Sequence, residues 1–156
     1  MTSSTDKRPW LTLVGLGEDG VLAPGGAEAL AGADIVYGGT RHLELTGGII
    51  AEKRTWPSPF ATVFEDLAAL RQKHVAVLAT GDPMWFGIGS SLLKHFPANE
   101  LMVLPSPSAF QLAAARMGWA LQETDCLSVH GRPVDLLRAS LYPGARILCL
   151  TSNAET

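Results

Sequence analysis

The clearest candidate for chemistry in this sequence is the segment Thr80-Gly81-Asp82-Pro83, which directly follows the apolar run of residues 75–79. A short apolar run that breaks into Gly-Asp-Pro predicts a buried strand ending in a sharp turn. In parallel α/β sheets, ligands bind beside the loops at the carboxyl ends of the strands. Asp82 can therefore offer a carboxylate to a ligand, beside a glycine that leaves room for its approach. The alternative is a type I turn or a helix N-cap, in which the same carboxylate accepts backbone N–H groups.

A second pattern, GLGEDG at residues 15–20, follows the apolar residues 11–14 and matches the GxGxxG fingerprint of dinucleotide-binding loops. Two features disfavour that function. Glu18 and Asp19 carry negative charge where a pyrophosphate has to approach, and each repels it by on the order of 1 kcal/mol. The fingerprint also requires an acid at the end of the next strand, which here is expected to end in Tyr-Gly-Gly at residues 37–39. A nicotinamide-dependent oxidoreductase is therefore disfavoured, and a tight turn built by glycines is the alternative.

Composition limits the classes of function further. The 156 residues carry a net charge of −3 and no cluster of Lys or Arg, which disfavours nucleic acid as the main partner. Hydrophobic residues make up 47% and charged residues 17%, which is typical of a globular protein with a substantial core. Cys126 and Cys149 have no further Cys or His at a metal-ligand spacing, so we expect free thiols in a reducing cytoplasm and no metal site. We expect no membrane span, because no apolar stretch is long enough.

Strand-like and helix-like segments alternate along the chain, which predicts an α/β fold with a largely parallel sheet. We expect a disordered tail over residues 1–9, an N-terminal α/β lobe over 10–117 and the start of a C-terminal α/β lobe over 118–156. Only residues 151–156 follow the last predicted strand, so we expect the second lobe to be incomplete and the chain to be a fragment. The predicted strands cover residues 10–14, 34–37, 75–79, 101–104, 127–130 and 146–150, and the predicted helices cover 24–33, 40–45, 60–73, 87–96, 108–117 and 133–141.

Four segments together resemble the tetrapyrrole methylase family, the S-adenosylmethionine-dependent methyltransferases of corrin and sirohaem synthesis. They are VGLGEDG at residues 14–20, ATGDPMWFGIG at 79–89, PSPSA at 105–109 and SVHGR at 128–132. The likeness covers nearly the whole chain from residue 11 onward. The acidic first loop and the Ser-x-His-Gly-Arg segment most resemble the members that methylate C5 of a precorrin-6 type ring in cobalamin biosynthesis.

The resemblance implies two α/β lobes with a trough between them, a homodimer, and S-adenosylmethionine bound in the trough. It also implies a precorrin substrate and, in fused members, a further domain that methylates C15 and decarboxylates. The positions that match the family's cofactor contacts are Thr80, Gly81, Asp82, Trp85, Ser108, Ala109 and Thr151.

His130 and Arg132 are the candidates for contact with the substrate. A neutral imidazole can accept a proton near pH 7, and a guanidinium can pair with the carboxylates that a precorrin carries. The alternatives are a structural, hydrogen-bonded histidine and a solvated arginine. No residue is identified as catalytic, and His42, His74 and His95 receive no role.

Two hypotheses from different classes follow. The first is an S-adenosylmethionine-dependent C-methyltransferase that acts on a precorrin. The second is a non-catalytic α/β domain for ligand binding or assembly that keeps the methylase fold. An assay for methyl transfer distinguishes the two hypotheses, because a non-catalytic domain would bind the cofactor and never methylate a precorrin.

Overall fold

The computed structural model describes residues 9–153, and residues 1–8 of the expected tail lie outside the described part of the chain. The chain forms two compact units, one ending at Ser106 and the other beginning at Pro107. Each unit builds its own parallel sheet. The prediction of an α/β fold with largely parallel strands is confirmed.

The first unit contains a five-stranded sheet in which every strand pair is parallel, in the order β3-β2-β4-β1-β5. Helices connect the strands, as parallel pairing requires. The elements in chain order are β1 (Leu11–Leu16), α1 (Gly26–Ala31), β2 (Ile35–Gly38), α2 (Thr40–Leu45), β3 (Glu52–Thr55), α3 (Val63–Ala68), β4 (Val75–Thr80), α4 (Ile88–Leu92) and β5 (Leu101–Leu104), with short 3₁₀ turns at Phe60–Thr62 and Ala98–Glu100.

The central strands β1 and β4 are buried on both faces of the sheet. Their register places Leu13 beside Val77 and Val14 beside Leu78, and all four side chains are fully buried. Helices α1 and α2 pack on the face of Val14 and Leu78, and helices α3 and α4 pack on the face of Leu13 and Val77. Because both faces are covered, these strands are continuous apolar runs rather than alternating ones.

The strand order creates a topological switch point between β1 and β4. After β1 the chain passes to α1 on one face, whereas after β4 it passes to α4 on the opposite face. The loops after β1 and β4 therefore lead to opposite faces of the sheet. In open α/β sheets, ligands bind at the carboxyl edge beside such a switch point.

The second unit consists of α5 (Ala109–Met117), β6 (Asp125–Ser128) and β7 (Ile147–Leu150), with 3₁₀ segments at Leu121–Glu123 and Val134–Ser140. Strands β6 and β7 are parallel, and α5 packs against β7. This packing places α5 in the second unit. The two compact units divide before α5, whereas the sequence predicts a lobe boundary after Met117.

Several elements differ from the sequence-based expectation. Strand β3 was not predicted, because its Glu-Lys-Arg-Thr sequence is polar; it is an edge strand, paired only with β2. Strand β6 (Asp125–Ser128) begins and ends two residues earlier than the predicted strand at 127–130, so His130 lies in a turn. The segment 133–141 was expected to be an α-helix and is a 3₁₀ helix over Val134–Ser140.

Candidate functional site

The carboxyl ends of three neighbouring strands are tied together at the switch point. The Gly81 N–H donates to the Leu16 carbonyl at 2.7 Å, and the Ser106 N–H donates to the Gly81 carbonyl at 3.2 Å. The buried Ser106 hydroxyl donates to the Gly15 carbonyl at 3.1 Å. A Cβ on Gly15 would collide with the Gly81 carbonyl oxygen and would lie 2.5 Å from the Ser106 nitrogen. The absence of a side chain at Gly15 therefore lets the backbones after β1, β4 and β5 meet.

The loop after β4 is tightly wound around Asp82. One carboxylate oxygen, Oδ1, accepts the Met84 N–H at 2.8 Å, and the Asp82 carbonyl accepts the Trp85 N–H at 3.2 Å. The turn proposed as the alternative role for Asp82 is therefore present. Within residues 9–153 the structure gives the other carboxylate oxygen, Oδ2, no hydrogen-bond partner, and the side chain is half-buried. One oxygen shapes the loop, and the other is available to a ligand.

The same loop ends in a strained backbone conformation. Phe86 adopts a φ of 54°, a left-handed conformation that is unusual for a bulky residue. Gly87 is required for the winding, because a Cβ there would lie 2.5 Å from the Pro83 carbonyl oxygen. Strained residues of this kind concentrate at ligand and active sites.

Thr80, the last residue of β4, exposes its side chain at this edge and contacts His42 on α2. Its Oγ1 lies 2.8 Å from the His42 Nε2. The other ring nitrogen, Nδ1, is the one buried polar side-chain atom in the described part of the chain without a hydrogen-bond partner. Burial lowers the pKa of His42, and the positive charge of Arg41 lowers it further. Both effects favour the neutral imidazole at pH 7.

Sequence reasoning gave His42 no role. The signal that could have found it is its position, since it follows the Gly38-Gly39 pair that ends the second strand. Carboxyl ends of parallel strands share one edge of the sheet, so this histidine had to lie on the same edge as Thr80.

The acidic loop after β1 turns back on itself before any helix begins. Residues Leu16 and Leu22 form an antiparallel bridge, and the Asp19 Oδ1 accepts the Val21 N–H at 3.1 Å. Helix α1 starts only at Gly26. A dinucleotide loop needs a helix N-terminus directly behind its glycines, so this geometry supports the tight-turn interpretation of the GLGEDG segment.

The remaining predicted cofactor residues lie in the second unit. Ser108 is the N-cap of α5 and forms a capping box, in which its Oγ accepts the Gln111 N–H at 3.3 Å and the Gln111 Oε1 accepts the Ser108 N–H at 2.7 Å. Ala109 is the first helical residue and is exposed. Thr151 follows β7 and is exposed.

His130 and Arg132 share one edge of the second unit with Thr151. The turn at Gly131 has a φ of 65°, and the Gly131 N–H donates to the Ser152 hydroxyl at 3.2 Å. Both predicted substrate residues are exposed. The structure thus brings Thr80, Gly81, Asp82 and Trp85 together in the first unit, and His130, Arg132 and Thr151 together in the second.

None of the helices within residues 9–153 combines the length and the apolar character that crossing a bilayer requires. The same residues contain no cluster of three or more His, Cys, Asp or Glu side chains that could ligate a metal ion.

The family of Tetrapyrrole (Corrin/Porphyrin) Methylases matches residues 11–152 of the chain. The chain belongs to the tetrapyrrole methylase family. The resemblance stated from the four sequence motifs is thereby confirmed. Solved structures agree with it: the precorrin-6Y methylase of cobalamin biosynthesis from Archaeoglobus fulgidus superposes with a TM-score of 0.62 at 26% identity, covering 91% of this chain and 72% of that one.

Two known proteins are similar to this chain in sequence. The precorrin-6Y C(5,15)-methyltransferase (decarboxylating) of Sinorhizobium sp. is 49% identical over 148 residues, which is 93% of this chain and 36% of the relative. The cobalt-precorrin-7 C(5)-methyltransferase of Salmonella typhimurium is 36% identical over 126 residues, which is 80% of this chain and 63% of the relative. The chain therefore spans about a third of the first relative and less than two thirds of the second.

Proposed function

We propose that this methylase uses S-adenosylmethionine to methylate C5 of a precorrin in cobalamin biosynthesis. The single observation that carries the proposal is the Thr80-Gly81-Asp82 loop at the switch point of a tetrapyrrole methylase sheet. The choice of C5 rests on the two relatives, because C5 is the position common to both of their names. The substrate and the activity of the whole protein follow from these names and are part of the proposal.

The exposed groups of the loop fit the proposed cofactor in charge and polarity. S-adenosylmethionine, when bound, supplies a methyl group on a positively charged sulfur. The Asp82 carboxylate has one oxygen engaged with Met84 and one available, so it favours a cation at this edge. The Thr80 hydroxyl supplies a neutral hydrogen-bonding group beside it. The loop contains no Lys or Arg, which an anionic ligand would favour.

The chain's main contribution to methyl transfer is to position the two reactants. Displacement at the methyl group requires the attacking carbon and the leaving sulfur to be in line, and fixed loops achieve this without a covalent intermediate. We assign the methionine end of the cofactor to Ser108 and Ala109 at the start of α5, with Thr151 as a further contact. We propose that Arg132 binds carboxylates of the substrate and that His130 forms a polar contact with the substrate.

Asp82 provides the first test of this proposal. Asp82→Asn keeps an oxygen that can accept the Met84 N–H but removes the charge, whereas Asp82→Ala removes both. In calorimetry on the full-length protein, Asp82→Asn should weaken binding of the cationic S-adenosylmethionine about fivefold more than binding of the neutral S-adenosylhomocysteine. Asp82→Ala should weaken both ligands and also destabilise the loop.

Asp34→Asn is the matched control, because Asp34 also accepts a backbone N–H, that of His74, at the opposite edge of the sheet. Equal losses for the two ligands in Asp82→Asn, or the same selective loss in Asp34→Asn, would contradict the proposed cofactor site. Transfer of a labelled methyl group from S-adenosylmethionine to a precorrin tests turnover. Cofactor binding without transfer would identify the non-catalytic domain instead.

We also propose that the protein is a cytoplasmic homodimer and that C15 methylation and decarboxylation belong to a further domain or a separate protein. The support is the family resemblance and, for the further domain, the greater length of the C(5,15) relative. Sedimentation equilibrium of the full-length protein tests the dimer, and a single species at the monomer mass would contradict it.

A further inference from the structure

His42 is the partner of the Thr80 hydroxyl at the switch point. Helix α2 begins directly after Gly39, which places His42 beside the carboxyl end of β4. Its Nε2 lies 2.8 Å from the Thr80 Oγ1. Thr80 is exposed, so the ring occupies one hydrogen-bonding direction of the hydroxyl while the side chain stays accessible to a ligand at this edge.

The surroundings of the second ring nitrogen decide which nitrogen carries the proton. A Cβ added to Gly39 would lie 3.7 Å from the His42 Nδ1 and 3.9 Å from the Trp56 Nε1, so both nitrogens border the same small space. The indole N–H is a donor only. Because Nδ1 is buried and has no hydrogen-bond partner among the described residues, a proton on it would be an unsatisfied donor beside a second N–H group. The tautomer with its proton on Nε2, which does have a partner in Thr80, is therefore favoured.

We infer that His42 is a positioning residue for the cofactor site, in which its Nε2–H donates to the Thr80 Oγ1 and directs the threonine O–H outward as a donor. The acceptor is an oxygen or nitrogen atom of the bound S-adenosyl ligand, so this inference rests on the proposed function. A threonine with a free rotor can donate or accept in several directions. The histidine removes that ambiguity by occupying one lone pair of the hydroxyl oxygen.

A charged imidazole would also donate from Nε2, but it would add an N–H at Nδ1, which is buried and has no hydrogen-bond partner among the described residues. Burial and the neighbouring Arg41 charge lower the pKa of His42, which favours the neutral ring with one N–H donor. A neutral ring also avoids placing a second positive charge near a sulfonium. The pKa shift thus agrees with the geometry of the two nitrogens.

Substitutions at His42 test the role through the affinity for S-adenosylhomocysteine, measured by calorimetry on the full-length protein. His42→Ala removes the donor and should weaken binding about three- to tenfold, the usual range for one neutral hydrogen bond. His42→Gln places an amide N–H near the position of Nε2 and should stay within about twofold of the wild type. The matched control is His74→Ala, an exposed histidine at the opposite edge of the sheet, and its affinity should be unchanged.

A double-mutant cycle separates positioning from a general structural effect. Thr80→Val removes the hydroxyl, and the Thr80→Val, His42→Ala double variant should bind no more weakly than the weaker single variant. Additive losses would overturn the inference, as would a His42→Gln variant as weak as His42→Ala. If the melting temperature of His42→Gln is close to that of the wild type, the variant is folded, and its affinity for S-adenosylhomocysteine reflects the binding site.

Nitrogen-15 NMR of the wild-type imidazole gives a readout that needs no ligand. We expect a protonated Nε2 and an unprotonated Nδ1 at pH 7, with the Nε2 signal moving in Thr80→Val. A proton on Nδ1 would overturn the inference. If the wild type does not bind S-adenosylhomocysteine, the proposed cofactor is wrong, while the NMR result still decides whether His42 holds Thr80 as described.

Discussion

At the residue scale, Gly15 has a different role from the one its motif indicates. Glycines in a GxGxxG pattern suggest the approach of a phosphate, but Gly15 is approached by protein backbone. A Cβ there would collide with the Gly81 carbonyl oxygen and would lie 2.5 Å from the Ser106 nitrogen. Both contacts are to backbone atoms, which cannot move aside as the end of a flexible side chain can.

We therefore predict that Gly15→Ala destabilises the protein by about 1–3 kcal/mol, because the strand ends must separate to admit the methyl group. Urea denaturation measures the free energy of unfolding. Gly47→Ala is the matched control, since a Cβ at Gly47 meets no atom within 4 Å. A Gly15→Ala variant as stable as Gly47→Ala would contradict this account of the glycine loop.

His42 gives a second prediction at this scale, in the pH dependence of stability. Its pKa is lowered from 6.5 in the folded protein, first by burial and then by the Arg41 charge. As the pH falls below about 6.5, the unfolded chain takes up the proton first, so the free energy of unfolding decreases until the pH passes the folded pKa. His42→Gln should reduce this acid slope in denaturation curves recorded between about pH 7.5 and 5.5.

The control for this slope is His74→Gln, which removes an exposed histidine just before β4. A loss of slope there as large as in His42→Gln would show that the effect does not come from His42. An unchanged slope in His42→Gln would likewise contradict the burial-based account of its pKa.

At the element scale, the start of α5 is the best-defined helix terminus in the second unit. The reciprocal bonds between Ser108 and Gln111 satisfy two backbone N–H groups at the first turn. Ser108→Ala should lower the free energy of unfolding by about 1 kcal/mol, and Ser108→Asp should recover most of it, because aspartate is also a good N-cap.

Ser91→Ala is the control for the capping prediction, since Ser91 lies inside α4 and alanine is favoured at interior helical positions. Thermal denaturation of the three variants makes the comparison. Equal stability of Ser108→Ala and the wild type would mean that the capping box contributes nothing to the fold.

At the scale of the whole molecule, the two units differ in how well their strands are buried. The core strands β1 and β4 have neighbours on both sides and fully buried side chains such as Leu13 and Val77. The side chains of β7 and most of those of β6 are only half-buried, in a sheet of two strands. Two-stranded sheets are marginally stable by themselves.

Native-state hydrogen exchange should therefore find its slowest amides in β1 and β4. Amides of β6 and β7 should exchange faster by roughly two orders of magnitude or more, because local opening of a half-buried pair costs less free energy than global unfolding. Comparable protection in the two sheets would contradict this difference. The experiment also shows whether the two units unfold in one step or separately.

The sequence by itself determined the apolar strands, the α/β class and the family. Continuous apolar runs such as residues 75–79 are short-range patterns that report burial on both faces of a sheet, and the four motifs are likewise local. It also located the turn at Gly81 and Asp82. The polar edge strand β3 escaped prediction, because its stability comes from pairing with β2 rather than from its own composition.

Only the tertiary structure decided which loops meet and what each side chain contacts. The order β3-β2-β4-β1-β5 brings His42 to Thr80 across 38 positions of sequence, and it turns Gly15 into a contact point for two other strand ends. It also showed that one carboxylate oxygen of Asp82 accepts the Met84 N–H within the loop, whereas the other has no hydrogen-bond partner among the described residues. The physical reason is that strand order sets long-range proximity, and local sequence patterns carry no information about it.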